Sequence, residues 1–164
     1  MKKIACILLA ASCLLLLACS DTSAETATYY YCRDEFAYGT QDGVIAPEQR
    51  DISGHVGDLQ YLLSMYLVGP HDESLTSPFP GRTKLLSVRF QEDTVILEIT
   101  GCSDLLAESQ FTLGCACLAM TCLELTDAQY VTIVSADQKV TLSRENLLLF
   151  DSANLTVSAT EESQ

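Results

Sequence analysis

The stretch 111–123 reads Phe-Thr-Leu-Gly-Cys-Ala-Cys-Leu-Ala-Met-Thr-Cys-Leu, without a charged residue. Wound as a helix it is apolar on nearly every side, so it has no face to give to water and belongs inside a core. The periodic pattern extends it over roughly Ser103 to Leu123, with Ser103 as N-cap. Cys115 and Cys122 are seven residues apart and share a face, whereas Cys117 points about 200° away from Cys115. Zinc needs four convergent ligands, and these three thiols on one continuous helix cannot converge. They read as small buried hydrophobes.

The chain has 8 cysteines, but their positions divide them. Lys2 and Lys3 precede an uncharged apolar run, Ile4 to Ala18, that is short for a membrane span of roughly 20 residues. The run fits the apolar region of a secretory signal. It ends Leu16-Leu17-Ala18-Cys19, which resembles the bacterial lipobox. That resemblance makes Cys19 the lipid attachment site and the mature N-terminus, with 1–18 a lipoprotein signal peptide. Cys6 and Cys13 leave with the signal, so Cys32, Cys102, Cys115, Cys117 and Cys122 remain. An odd set cannot pair completely within the chain, and unpaired thiols on an exported protein point to an anaerobic or reducing habitat.

Removing 1–18 takes two lysines, leaving 7 basic against 22 acidic residues, a net charge of −15. Nucleic acid is excluded as a partner, because phosphate binding requires clustered Lys and Arg. Anionic head groups repel such a protein, so the acyl chains at Cys19 must hold it on the extracytoplasmic face of the membrane. Residues 19–28 are small and polar and read as a flexible tether. The Ser/Thr/Glu-rich tail 152–164 reads as disordered. With 48% hydrophobic and 19% charged residues, the 29–151 stretch between them can bury a core.

Within it, 29 to about 36 is β-rich, a turn occupies 39–43, and Val44-Ile45-Ala46 is a short strand. From Gly54 the period changes: Val56, Leu59, Leu62 or Leu63, Tyr66 and Leu67 mark one helical face, which Gly69-Pro70 ends. After a loop from His71 to Thr83, Leu86, Val88 and Phe90 alternate as a half-buried strand. Val95, Leu97 and Ile99 alternate again, making a hairpin about Glu92-Asp93. Beyond the cysteine-rich helix, 130–135 is a strand and 140–142 an extra edge, with Asp137-Gln138 as the turn. The expected architecture is α+β, a small mixed sheet packed by two helices in the order ββαββαβ.

Several segments resemble the GerMN domain of sporulation and spore-germination proteins. They are Gly43-Val44-Ile45-Ala46-Pro47-Glu48-Gln49-Arg50, Tyr66-Leu67-Val68-Gly69-Pro70 and Phe79-Pro80-Gly81-Arg82-Thr83-Lys84-Leu85-Leu86-Ser87-Val88. Val140-Thr141-Leu142-Ser143-Arg144-Glu145 is similar to the family's closing segment. The resemblance covers 29 to 151 and implies a module related to ring-building motifs, frequently carried by lipoproteins of Gram-positive bacteria. It brings no catalytic residues. The second helix departs from the family pattern, since cysteines replace its aliphatic residues and Thr121-Cys122-Leu123-Glu124-Leu125-Thr126 replaces an Asn-Thr-Leu-Thr ending.

The sequence contains no nucleophile elbow, P-loop, dinucleotide fingerprint or His-Glu-x-x-His. His71, beside Asp72 and Glu73, could serve as a base, but reads as part of a solvated loop; His55 reads as a surface residue. The dispersed acids, among them Asp51, Asp58, Glu92, Asp93, Glu161 and Glu162, lack the calcium-loop pattern, although an unpatterned divalent site stays open. Tyr29-Tyr30-Tyr31 should put Tyr29 and Tyr31 on one face and Tyr30 on the other, where Tyr30 and the 71–83 loop could stack on wall sugars. No cofactor or metal is expected. The expected function is non-catalytic: binding or assembly with an envelope protein or a second copy, the alternative being recognition of peptidoglycan or a small ligand.

Overall fold

The structure is a computed structural model that describes residues 24–34, 43–102, 108–136 and 138–147. Its elements are β1 (Thr26–Arg33), β2 (Ile45–Asp51), α1 (Leu59–Val68), β3 (Leu75–Thr76), β4 (Lys84–Gln91) and β5 (Thr94–Thr100). They continue with α2 (Glu108–Glu124), β6 (Tyr130–Ser135), β7 (Gln138–Ser143) and the single turn α3 (Arg144–Leu147). The class is α+β, as expected, with one difference. The strands form two sheets, an antiparallel β2-β1-β3 and a mixed β4-β5-β6-β7.

The helix without a polar face accounts for that difference. Cys115, Ala116, Cys117, Leu118, Ala119 and Cys122 are all fully buried, so one sheet on one side could not have covered them. Helix α2 packs against β1 of the first sheet and against β6 and β7 of the second. It also makes the crossover between β5 and β6, which are parallel and cannot be joined by a tight turn. Val95, Leu97, Ile99, Val131 and Ile133 alternate inward from those two strands. Each such buried aliphatic side chain contributes roughly 1.5–3 kcal/mol.

Several boundaries differ from the sequence reading. Strand β1 begins at Thr26, paired with Asp51, so 26–28 are strand rather than the end of the tether. Strand β2 runs through Pro47 to Asp51, which its outermost position permits. Val56 lies before α1 and is 56% exposed. Gly54 and Gly57 have φ of +83°, outside the helical region. Helix α1 starts only where Asp58 accepts the Tyr61 N–H at 3.0 Å. Gly69 ends it, its own N–H bonded to the Tyr66 carbonyl. The expected 71–83 loop contains β3, which pairs Cys32 with Thr76 and Arg33 with Leu75.

In β4 the register slips between Leu85 and Ser87, and this bulge puts Leu85 rather than Leu86 on the core face, opposite Ile99, while Val88 and Phe90 keep the expected face, opposite Leu97 and Val95. Leu86 and Phe90 are 55% and 65% exposed rather than half-buried, while Leu85 and Val88 pack on the core. The expected extra edge is real: β7 pairs with β6 from Gln138 to Ser143. Arg144 follows it and donates from Nη2 to the carbonyls of Leu123 (2.5 Å) and Thr126 (3.2 Å), satisfying the end of α2. Ser103 as N-cap, Asp137, Cys19, the signal, residues 20–23 of the tether, the 39–42 turn residues and the tail fall outside the described residues. No helix among the described residues is long and apolar enough to cross a membrane.

Candidate functional site

The three consecutive tyrosines separate as the period of two requires. Tyr29 and Tyr31 point to the buried side, where both rings stack with Tyr66 of α1, at 6.3 Å and 4.8 Å between centroids. The Tyr31 hydroxyl donates toward the carbonyls of Tyr66 (3.0 Å) and Gly69 (3.3 Å), and the Tyr29 hydroxyl toward that of Leu62 (3.5 Å). Burial pushes the phenols of both above their ordinary range, with Arg50 opposing. Tyr30 is half-buried, and its N–H donates to Thr121 Oγ1 of α2 at 2.9 Å. Pro47 opposite it has no N–H, and α2 occupies the other side of the strand.

Against the tyrosine rings lies an ion pair that the sequence reading passed over. The Arg50 guanidinium sits 4.9 Å from the Tyr29 centroid and 5.2 Å from that of Tyr31. Its Nε bonds Glu48 Oε2 at 2.5 Å and its Nη2 the Gly69 carbonyl at 2.6 Å. Glu48 Oε1 accepts the N–H groups of His71 and Asp72, each at 2.7 Å. Burial alone would raise the Glu48 pKa, but the donors from Asp72, Arg50 and His71 together hold it below the usual range. A signal was present: residues 48 and 50 share a strand face and carry opposite charges.

This arrangement assigns His71 and Asp72 to the turn that follows α1. The Asp72 carboxylate accepts the N–H (2.8 Å) and hydroxyl (2.7 Å) of Ser74, which lower its pKa. It is therefore directed at Ser74, and the structure pairs it with no imidazole. His55 stacks on Tyr61 at 3.8 Å between centroids and lies before α1.

The five described cysteines are free thiols, and all are buried, in keeping with their reading as small hydrophobes. Two pairs adjoin: Cys32 lies close enough to Cys117 for each thiol to shift the other's pKa, and Cys102 neighbours Cys115. Cys102 Sγ also lies 3.3 Å from Ser135 Oγ. Among the described residues, no group of three His, Cys, Asp or Glu could hold a metal ion.

Where α1 packs on β4, both elements carry exposed apolar side chains: Leu86 and Phe90 of β4, and Met65 and Val68 of α1, the latter 77% exposed. Phe90 shares a cleft of about 380 Å³ with Leu59 and Leu62, bordered by Glu92, Asp93 and Asp127. A second cleft, about 460 Å³, runs between Leu67 and Val68 of α1 and Thr83 to Leu85. Because β4 is the outermost strand of its sheet, this surface combines exposed apolar side chains with a strand edge.

The described domain has the fold of solved GerMN domains. It is similar to the first GerMN domain of the sporulation protein GerM from Bacillus subtilis at a TM-score of 0.57 and 12% identity, covering 74% of this chain and 98% of that one. The tandem GerMN domains of the same protein align at a TM-score of 0.51 and 16% identity, covering 73% of this chain and 42% of that one. No protein-family model matches the chain, and no curated protein does.

Proposed function

We propose that this protein is a lipid-anchored envelope lipoprotein whose GerMN-like domain is a non-catalytic assembly module, acting in sporulation or spore germination. The observation that carries the assembly role is the outermost strand β4, where Leu86, displaced by the bulge, and Phe90, at the end of the strand, are exposed, as are Met65 and Val68 of α1. The strand edge supplies backbone donors and acceptors, and the apolar side chains supply contact area. The partner is another envelope protein or a second copy. The commitment of His71 and Asp72 to a turn held by Glu48 and Ser74 supports a non-catalytic reading. The likeness to GerM domains supports the sporulation context, and Leu16-Leu17-Ala18-Cys19 supports the anchor.

The test places a photo-reactive amino acid at Leu86 or Phe90 of the full chain in cells, with exposed Glu73 as the control position. A discrete cross-linked product from 86 or 90 and none from 73 is the expected result. Twice the monomer mass identifies a second copy, and another mass identifies a partner protein. Absence of any product, together with pelleting of the domain on purified sacculi, would replace this reading with peptidoglycan binding. The anchor is tested separately: Cys19→Ala should abolish palmitate labelling and leave the precursor uncut. Normal processing of that variant would remove the lipobox reading.

A further inference from the structure

The thiol pair between the first sheet and α2 has a feature that buried hydrophobes do not need. The two sulfurs come from elements brought into register elsewhere: the Tyr30 N–H bonds Thr121 Oγ1 at 2.9 Å. Two residues further along a strand is about 6.6 Å, and four residues back along a helix is about 6 Å. That step carries 30 to 32 and 121 to 117, and Cys32 shares a cleft with Gln110 and Leu113 further toward the start of the same helix, so Cys32 comes level with Cys117.

The pair is asymmetric. Cys117 is fully buried, whereas Cys32 keeps 7% of its surface. Cys32 forms part of the wall of a cleft of about 350 Å³ with Pro78, Phe79, Gln110 and Leu113. A small molecule in that cleft meets Cys32 first, and Cys117 only through it. The neighbouring Cys117 thiol lowers the pKa of Cys32 against the opposing effect of burial, and Cys32 in turn pushes Cys117 up.

We propose that Cys32 and Cys117 are a redox-active dithiol that closes into a disulfide between β1 and α2, with Cys32 making the first exchange with a small-molecule disulfide. The Cys32 thiolate attacks one sulfur of that disulfide, forming a mixed disulfide and expelling one small thiolate, which takes up a proton. Cys117 then loses its proton and attacks the Cys32 sulfur, closing the protein disulfide and releasing the second small thiol. Two protein thiols are oxidised to one disulfide and one small disulfide is reduced to two thiols, so the exchange balances. The surface residues Leu86 and Phe90 take no part, and the proposal stands or falls independently of the assembly role.

The experiment uses the purified full chain in detergent, reduced, freed of reductant and mixed with oxidised glutathione at neutral pH without denaturant. Trapped samples are alkylated and their peptides mapped by mass spectrometry. A peptide joining Cys32 to Cys117, reversed by excess reduced glutathione, is the expected product. The Cys117→Ala variant should stop with glutathione on Cys32, and Cys32→Ala should leave Cys117 unmodified. Alkylation of Cys32 in the native protein should be at least about tenfold faster than that of Cys115. The proposal is overturned if the wild type also stops at the mixed disulfide, if Cys32 reacts only after unfolding, or if another cysteine takes its partner's place. The wild-type map decides by itself should a variant fail to fold.

Discussion

Arg50 of β2 donates from Nη2 to the carbonyl of Gly69 at 2.6 Å, joining the outermost strand of the first sheet to the end of α1. The carbonyl lies at a helix terminus, where it has no partner within the helix. The same guanidinium holds Glu48, whose other oxygen receives the next two backbone amides after Pro70. One side chain thus fixes the exit of the chain from α1 and the strand beside Tyr29 and Tyr31.

Removing it should be costly. Arg50→Met keeps much of the packing against the tyrosine rings but leaves Glu48 buried without its cation and the Gly69 carbonyl with the Tyr31 hydroxyl at 3.3 Å in place of the guanidinium. The side chains of Arg50 and Glu48 are only 7% and 8% exposed, and breaking a buried pair from one side costs about 3 kcal/mol. Urea unfolding should show a lower midpoint with an unchanged slope. A loss below about 1 kcal/mol would mean that water replaces the guanidinium and that the pair is peripheral.

Stability should also fall in acid, and Glu48 should account for part of that fall. Its folded-state pKa is depressed, so below the unfolded carboxylate value of about 4.3 the unfolded state binds the proton more readily. The stabilisation is complete above that pH and is lost as pH drops through the folded value. Asp72 and Asp51 act in the same direction through their bonds to Ser74 and Ser53. The urea midpoint should be flat from pH 7 to 5 and decline below. Glu48→Gln should begin lower and decline less steeply.

The alkaline limb is set by the buried thiols. Burial pushes Cys115 and Cys122 up to about 12, whereas an unfolded cysteine titrates near about 8.5. A raised folded-state pKa contributes stability below the unfolded value and loses it as pH rises toward the folded one. Each thiol should therefore lower stability by up to about 1.4 kcal/mol per pH unit above about 8.5. Above about pH 10 the raised tyrosines should add to the decline. The Cys115→Ala/Cys122→Ala double variant should have a shallower slope between pH 8.5 and 10. An identical slope would show that these thiols ionise freely in the native protein.

Glycine substitutions should separate by what the new methyl group meets. At Gly101 the backbone has φ +83°, and a Cβ would lie 2.7 Å from the Arg82 carbonyl oxygen. Neither strain nor clash can relax through a side chain, so Gly101→Ala should cost about 2 kcal/mol or more. At Gly114 in α2 a Cβ would lie 2.9 Å from the Phe79 ring. Displacing that buried ring costs about 1–3 kcal/mol, partly offset by about 1 kcal/mol of helix propensity. Gly81→Ala meets nothing within 4 Å and should change stability by less than about 0.5 kcal/mol. Thermal denaturation should return that order, and Gly114→Ala equal to Gly81→Ala would mean that the ring moves freely.

The elements themselves were legible where one period dominates. Val95, Leu97 and Ile99 alternate without interruption, and the run through Cys115 and Cys122 has no polar side, so strand and buried helix both follow. A helix without a polar face should have suggested cover from two sides, but it does not by itself say that the cover is two separate sheets. Leu86, Val88 and Phe90 alternate just as cleanly, and Val88 and Phe90 keep that face, yet the slip between Leu85 and Ser87 puts Leu85 in the place expected for Leu86. A bulge is set by pairing with β5, which no local pattern encodes. Val56 fits the helical face by spacing, but the positive φ at Gly57 and the Asp58 cap exclude it. The Arg50–Glu48 pair was readable from its spacing, whereas the meeting of Cys32 with Cys117 joins residues far apart in the chain and needs the fold.

The exposure of Leu86 and Phe90 on β4 leads to the last prediction. Leu86 and Phe90 are 55% and 65% exposed, so replacing them with lysine removes little buried apolar area. Leu86→Lys and Phe90→Lys should each change unfolding stability by less than about 0.5 kcal/mol. They also place positive charge on an outermost strand, which discourages edge-to-edge pairing. If the domain assembles through this surface, the double variant should lose the cross-linked species in the membrane while keeping the wild-type urea midpoint. Loss of stability together with assembly would show that the side chains belong to the core. Retained assembly at full stability would shift the contact to the exposed face of α1 around Met65 and Val68, which Val68→Lys would then disrupt.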